Sequence, residues 1–174
     1  VHPRDKELVL ATHGRSFYLA DVGQLQQMDS AVLNSPMHIF ALEDVRHSSA
    51  WGSRSFDWSE YRQPDMQIPF FAKEAGPIKV EISFSGKNEE KPLSVFTETL
   101  EAEAGLNFYS YPLIMKPEVV DELLRYIKDY GTGKGEDAPE IERADDGNYY
   151  LPPERYQVTI SNEQGQAETS FSIK

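Results

Sequence analysis

ADDGNYYLPPERYQVTISNEQGQAETSFSIK, residues Ala144 to Lys174, is the stretch that decides the fold. From Tyr156 onward Tyr156, Val158 and Ile160 point to one side of a pleated strand and Gln157, Thr159 and Ser161 to the other, the period of a strand with one wet face. Asn162-Glu163-Gln164-Gly165-Gln166 supplies a polar turn. The return strand sets Thr169, Phe171 and Ile173 against Glu168, Ser170 and Ser172. Such a hairpin needs a second layer over its apolar face, and the layer has to come from upstream. The cleanest alternation in the chain is Ile78-Lys79-Val80-Glu81-Ile82-Ser83-Phe84, so Ile78, Val80, Ile82 and Phe84 are expected to be that opposing layer.

Working outward, further strand patterns fall at 68–71, 93–100 and 106–112, with the closing hairpin at 155–161 and 167–173 and another candidate around 38–43. Short alternating strands separated by polar turns predict an all-β, immunoglobulin-like β-sandwich over 67–174. One helix interrupts it, at 117–130. Proline stands in its first turn, Val120, Leu123, Leu124 and Ile127 share one face, Glu118, Asp121 and Glu122 lie near the positive N-terminus, and Gly131 follows the last turn. The segment 131–146 is polar, and Asp146-Gly147 turns the chain back toward the final hairpin.

Residues 1–28 are organised differently. Leu8 to His13 and Ser16 to Val22 read as two strands joined by a tight turn at Gly14-Arg15, and a hairpin of this size cannot bury its apolar residues by itself. Gln24 to Met28 reads as a short helical or turn-like exit. The connector 29–66 is irregular but carries Phe40, Trp51, Phe56, Trp58 and Tyr61, too many large rings for a flexible linker. It is expected to be ordered and pressed against its neighbours.

The chain has 174 residues and a mass of 19.8 kDa, enough for a sizeable core without staples. A formal charge of -12 and a pI near 4.7 argue against a nucleic-acid partner, which asks for clustered Lys and Arg. Without cysteine there are no disulfides, thiolate nucleophiles or cysteine metal sites. No apolar run is long enough to span a membrane, and the residues given show no signal-peptide pattern.

Motifs for chemistry are sparse. His2, His13, His38 and His47 make none of the close spacings of a metal site, and His13 with Arg15 is better explained by hydrogen bonding and ion pairing in a hairpin turn. Gly131-Thr132-Gly133-Lys134-Gly135 follows a helix instead of a buried strand, which rules out a phosphate loop. Asp145, Asp146 and Asn148 fit a plain turn better than a calcium loop. Ser83-Phe84-Ser85-Gly86 is no nucleophile elbow, and no pair among 29 acidic residues stands out as a glycosidase dyad. No catalytic residue, cofactor or metal is therefore expected. The candidate ligand platform is Trp51, Trp58 and Tyr61, whose rings could stack on sugars, with packing in a domain interface as the stronger alternative.

A family resemblance adds to this reading. His2-Pro3-Arg4-Asp5, Leu8-Val9-Leu10-Ala11-Thr12-His13-Gly14-Arg15-Ser16, Phe17-Tyr18-Leu19 and Asp21 resemble the last blade of sortilin-type β-propellers, exported bacterial proteins that often carry the label of glycosyl hydrolases with BNR-type repeats. Only the final part of a four-stranded blade is present, and the Asp-box of such repeats is absent. Ala104-Gly105-Leu106-Asn107 also matches, although Tyr111 and Pro112 stand where the family has Trp and Asp. The most specific likeness is Asp146-Gly147 through Tyr149-Tyr150-Leu151-Pro152-Pro153 to Tyr156 and Val158, where Glu154 replaces the usual glycine, implying either a turn without positive φ or mild strain. The resemblance is good at both ends, moderate in the middle and poor at the helix. It implies an immunoglobulin-like domain similar to that of flagellar hook-capping proteins, preceded by a β-hairpin from a propeller blade.

The expected function is a non-catalytic C-terminal structural or interaction module of an exported bacterial β-propeller protein. Its partner would be the rest of the parent propeller, with a protein or glycan as a further one, and its location extracytoplasmic. The alternative is a carbohydrate-binding accessory domain of a glycoside hydrolase.

Overall fold

The computed structural model describes residues 6–14, 16–84, 92–130 and 141–174. In chain order the strands are β1 (Glu7–Ala11), β2 (Phe17–Asp21), β3 (Met37–Ile39), β4 (Met66–Ala72), β5 (Gly76–Phe84), β6 (Leu93–Ala102), β7 (Gly105–Tyr111), β8 (Ile114–Met115), β9 (Tyr149–Tyr150), β10 (Arg155–Asn162) and β11 (Gly165–Ser172). The helices are α1 (Gly23–Gln27), α2 (Ser30–Asn34) and α3 (Val120–Tyr130), the last entered through a 3-10 turn at Pro117–Val119.

The main body is a sandwich of an antiparallel four-stranded sheet, β11-β10-β5-β6, on an antiparallel three-stranded sheet, β3-β4-β7. Between them lie Val80, Ile82, Phe84, Val158, Ile160 and Phe171 from the first sheet, and Ile39, Ile68, Phe70 and Tyr111 from the second, all buried. This is the immunoglobulin-like arrangement, with α3 inserted in the connection from β7 to β10.

One expectation is corrected. The strand carrying Ile78, Val80, Ile82 and Phe84 does not face the closing hairpin; β5 lies beside β10 in the same sheet, with Ile82 opposite Val158 and Val80 opposite Ile160. The layer that covers the hairpin is β3-β4-β7. Alternation reports which face of a strand is dry but not which strand is its neighbour, and β10 here satisfies both backbone edges, one with β5 and one with β11.

The segment 29–66 is less irregular than its sequence suggests. Asp29 caps α2, its carboxylate accepting the backbone N–H of Ala31 at 2.8 Å and of Val32 at 2.9 Å. Val32 and Phe40 then cover Phe71 on the outer face of β4, so that strand is buried on both sides from Ile68 to Ala72, where alternation fails, while Gln67 on the outer face is exposed. Past β3 the chain changes sheets and runs parallel to the end of β11. Val45 N donates to Ser172 O at 2.8 Å, Lys174 N to Val45 O at 2.9 Å and His47 N to Lys174 O at 2.7 Å. This pairing blunts an otherwise open sheet edge, and Asp44 reinforces it by accepting from Ser172 N at 3.0 Å and Lys174 Nζ at 2.5 Å.

The helix stands where the periodicity placed it. Val120, Leu123 and Ile127 are buried against the sandwich and Leu124 is half-buried. Glu154, the residue at the family's glycine position, is not in the positive-φ region; the non-glycine residues that are, among those described, are Lys6 and Leu113. Glu154 is instead buried, and its carbonyl accepts from Ile173 N at 2.9 Å.

At the N-terminus β1 and β2 form an antiparallel ladder from Glu7 opposite Asp21 to Ala11 opposite Phe17. The expected two-residue turn at Gly14-Arg15 is a longer loop. Thr12 donates to the Ser16 carbonyl through both N, at 2.9 Å, and Oγ1, at 3.2 Å, and this closes the loop further from its tip; Arg15 lies outside the described residues. Val22 N donates to Lys6 O at 2.9 Å as the chain leaves toward α1.

Candidate binding surface

The loop 48–62 is shaped by its own backbone. Trp51 N donates to Ser48 O at 3.2 Å, Gly52 N to Arg62 O at 2.9 Å and Arg62 N to Ser53 O at 2.9 Å, so the two arms are laced together at the base and Phe56 to Ser59 form the tip. The base docks on the turn before β9. Gly52 has φ +72, and a side chain there would put Cβ 2.4 Å from Ala144 Cβ and 2.7 Å from a Tyr150 ring carbon. Both the conformation and the contact require glycine. Across this contact Asp146 N donates to Gly52 O at 3.1 Å.

Asp146 is the hub of the docking. Its carboxylate accepts the Tyr150 hydroxyl at 2.6 Å, Asn148 N and Nδ2 each at 3.0 Å and Gln63 Nε2 at 3.4 Å. Partial burial works to raise its pKa, but the hydrogen bonds from Tyr150, Asn148 and Gln63 outweigh it and hold the carboxyl below its ordinary 3.8. Burial, then the bond to Asp146, pushes the Tyr150 phenol up to about 12.

The three platform residues of the sequence reading occupy different settings. Trp51 is half-buried against the core, edge-to-face with His47 at 5.1 Å and 69°, and tilted 51° to Tyr150 at 5.9 Å. Trp58, 84 % exposed at the loop tip, lies parallel to Phe56 at 5.3 Å and 4°. Tyr61 lies under the Arg54 guanidinium, 5.2 Å from its ring centre. Among the described residues no ring contact joins Trp51, Trp58 and Tyr61 to one another. Of the rings that do accompany Trp51, His47 lies four residues upstream in the same segment, and Tyr150 is brought in only by the docking of the loop.

Beside Trp51 opens a cleft of about 440 Å³, walled by His47, Trp51, Tyr150 and Pro152 and rimmed by Glu142, Arg143 and Asp145. Burial lowers the His47 pKa, which favours the neutral imidazole. Arg143 is held to the turn, its Nε donating to Gly147 O at 2.8 Å. A wider crevice of about 1110 Å³ separates the N-terminal exit from the sandwich, between Lys6, Asp21 and Gln27 on one side and Asp44, Asp65 and Phe108 on the other.

The remaining candidates are dispersed. His13 is exposed in the β1–β2 loop, and His38 on β3 meets the Phe40 ring edge-on at 4.9 Å. His2 and the stretches Gly131 to Gly135 and Ser85-Gly86 lie outside the described residues. Among the described residues no group of three or more His, Cys, Asp or Glu could hold a metal ion, and no helix is long and apolar enough to cross a membrane.

No protein-family model and no curated protein matches the chain. The chain is similar to part of the solved structure of a β-glucosidase from Erythrobacter marinus, with 11% identity and a TM-score of 0.26 over 64% of this chain. The match spans 13% of that chain's length, and a likeness this low carries no argument about fold or activity.

Proposed function

We propose that this chain is a non-catalytic structural and interaction module at the C-terminal end of an exported bacterial β-propeller protein, with β1 and β2 as the closing strands of its last blade. The observation that carries the reading is the hairpin itself. Val9, Leu10, Phe17, Tyr18 and Leu19 are all exposed, Phe17 by 76 %. Because neighbouring residues in a strand point to opposite faces, these consecutive apolar residues leave both faces of the ladder uncovered. A strand that reads as a continuous apolar run is built for cover on both faces, which a blade packed between neighbouring sheets provides. In this reading the chain's partner is the parent propeller, the location is extracytoplasmic, and the segment 29–66 braces the sandwich against the propeller.

Hydrogen exchange tests it. The amides of β1 and β2 are expected to exchange rapidly in the 174-residue chain and to become protected when the preceding blades are present. Protection already complete in the monomeric chain, or missing in the longer protein, would sink the reading.

A second reading, a carbohydrate-binding accessory of a glycoside hydrolase, is favoured by the exposed parallel pair of Phe56 and Trp58. A glycan array decides it: binding that Trp58→Ala abolishes supports the platform, and a blank array removes it.

A further inference from the structure

We propose that the cleft between Trp51, Tyr150, Glu142 and Asp145 binds a small organic cation, an ammonium head group such as a lysine side chain or a quaternary amine carries. Three rings line the cleft at mutual inclinations, Trp51 being turned 69° from His47 and 51° from Tyr150. A flat sugar ring stacks on one aromatic face, whereas a compact ammonium group can meet several inclined rings through their electron-rich faces. The Tyr150 phenol donates to Asp146 at 2.6 Å, which leaves its ring richer in electrons.

Charge at the rim has the matching sign. Glu142 and Asp145 line the cleft as exposed carboxylates, and among the described residues neither makes a hydrogen bond or an ion pair. Two groups at the cleft could oppose a cation, Arg143 and His47. Arg143 keeps its charge, but its Nε–H is turned to Gly147 O and two carboxylates outnumber it at the rim, while burial lowers the His47 pKa and so favours the neutral imidazole. Asp146 lies behind the Tyr150 hydroxyl with its oxygens engaged, and the formal charge of -12 draws cations toward the chain as a whole. The site needs no segment beyond the described residues and is independent of the propeller reading.

The test follows the two indole N–H signals by NMR in the 174-residue chain, assigned with Trp58→Phe. Tetramethylammonium chloride and Nα-acetyl-lysine methylamide are titrated separately, with sodium chloride and methyl β-glucoside as controls. Either cation is expected to shift the Trp51 signal saturably, with a dissociation constant on the order of millimolar, and to leave Trp58 in place. Response to the quaternary ion alone would mark a quaternary-amine site, and response to the lysine derivative alone a peptide site. The double variant Glu142→Gln/Asp145→Asn, altered only at exposed positions, is expected to bind either cation roughly threefold to tenfold more weakly. Absence of a saturable Trp51 shift with both cations, an equal shift with the glucoside, or unchanged affinity in the double variant would each overturn the proposal.

Discussion

The Tyr156 hydroxyl donates to the Pro152 carbonyl at 2.8 Å, reaching back four residues from the first turn of β10 into the loop that feeds it. Such a tyrosine corner fixes the angle at which a sandwich strand enters its sheet. Both residues are buried, and the Tyr156 ring stacks on Phe171 at 5.6 Å and meets Phe84 at 6.1 Å. Tyr156→Phe keeps the ring packing and strands a buried carbonyl. It is expected to cost about 1–3 kcal/mol, read as a lower urea midpoint at unchanged m-value.

Gly52→Ala tests the docking of the 48–62 loop. The new methyl group would sit 2.4 Å from Ala144 Cβ on a backbone with φ +72, so the loop base has to lift away from Tyr150. Overlap and strain together predict a loss of roughly 2–4 kcal/mol. Near-UV circular dichroism would register the loss of the Trp51 environment, while the sandwich keeps its far-UV spectrum.

The same docking is expected to loosen at both ends of the pH scale. Asp146 titrates below its ordinary 3.8 in the folded chain, so its contribution is complete above that value and disappears as the pH falls through the lower folded pKa. Tyr150 titrates near 12 against an ordinary 10, so its contribution is complete below pH 10 and disappears as the pH rises toward 12. Following the Trp51 indole by NMR across this range should show an acid limb that Asp146→Asn removes. Survival of the acid limb in that variant would place its origin elsewhere.

The inserted helix is part of the core and no mere surface appendage. Leu123 has no exposed surface and packs in the main cluster, so Leu123→Ala is expected to cost about 2–5 kcal/mol. Glu122→Ala, one residue away on the exposed side, should stay within about 0.5 kcal/mol. Thermal unfolding of the two variants side by side checks the contrast.

Where the sequence is legible, local physics is sufficient. Tyr156, Val158 and Ile160 are buried and Gln157 and Thr159 half-buried, as alternation requires, and Val120, Leu123 and Ile127 are buried at helical spacing. The reading weakens where covers come from distant segments. Ile68 to Ala72 does not alternate because Val32 and Phe40 close the outer face over Phe71, and nothing near β4 in sequence announces them. The candidate site shows the same limit. Trp51 could be named as an unusual aromatic, but its companions His47 and Tyr150 carry ordinary signals, a lone histidine and one tyrosine of a strand motif.

Local pattern alone located β5, β6, β7, β10 and β11 and the dry faces of β5 and β10, placed α3, and showed that β1 and β2 carry more apolar surface than one hairpin can hide. These follow from side-chain periods of two and 3.6 residues and need no partner. Tertiary packing makes β5 the neighbour of β10 instead of its cover, sets Val45 against the end of β11, and brings Gly52 onto Asp146 so that Tyr150 joins the Trp51 segment at one cleft. Each of those is a contact between segments far apart in the chain. Such contacts are selected by backbone hydrogen bonding and close packing across the whole domain, which no local pattern encodes.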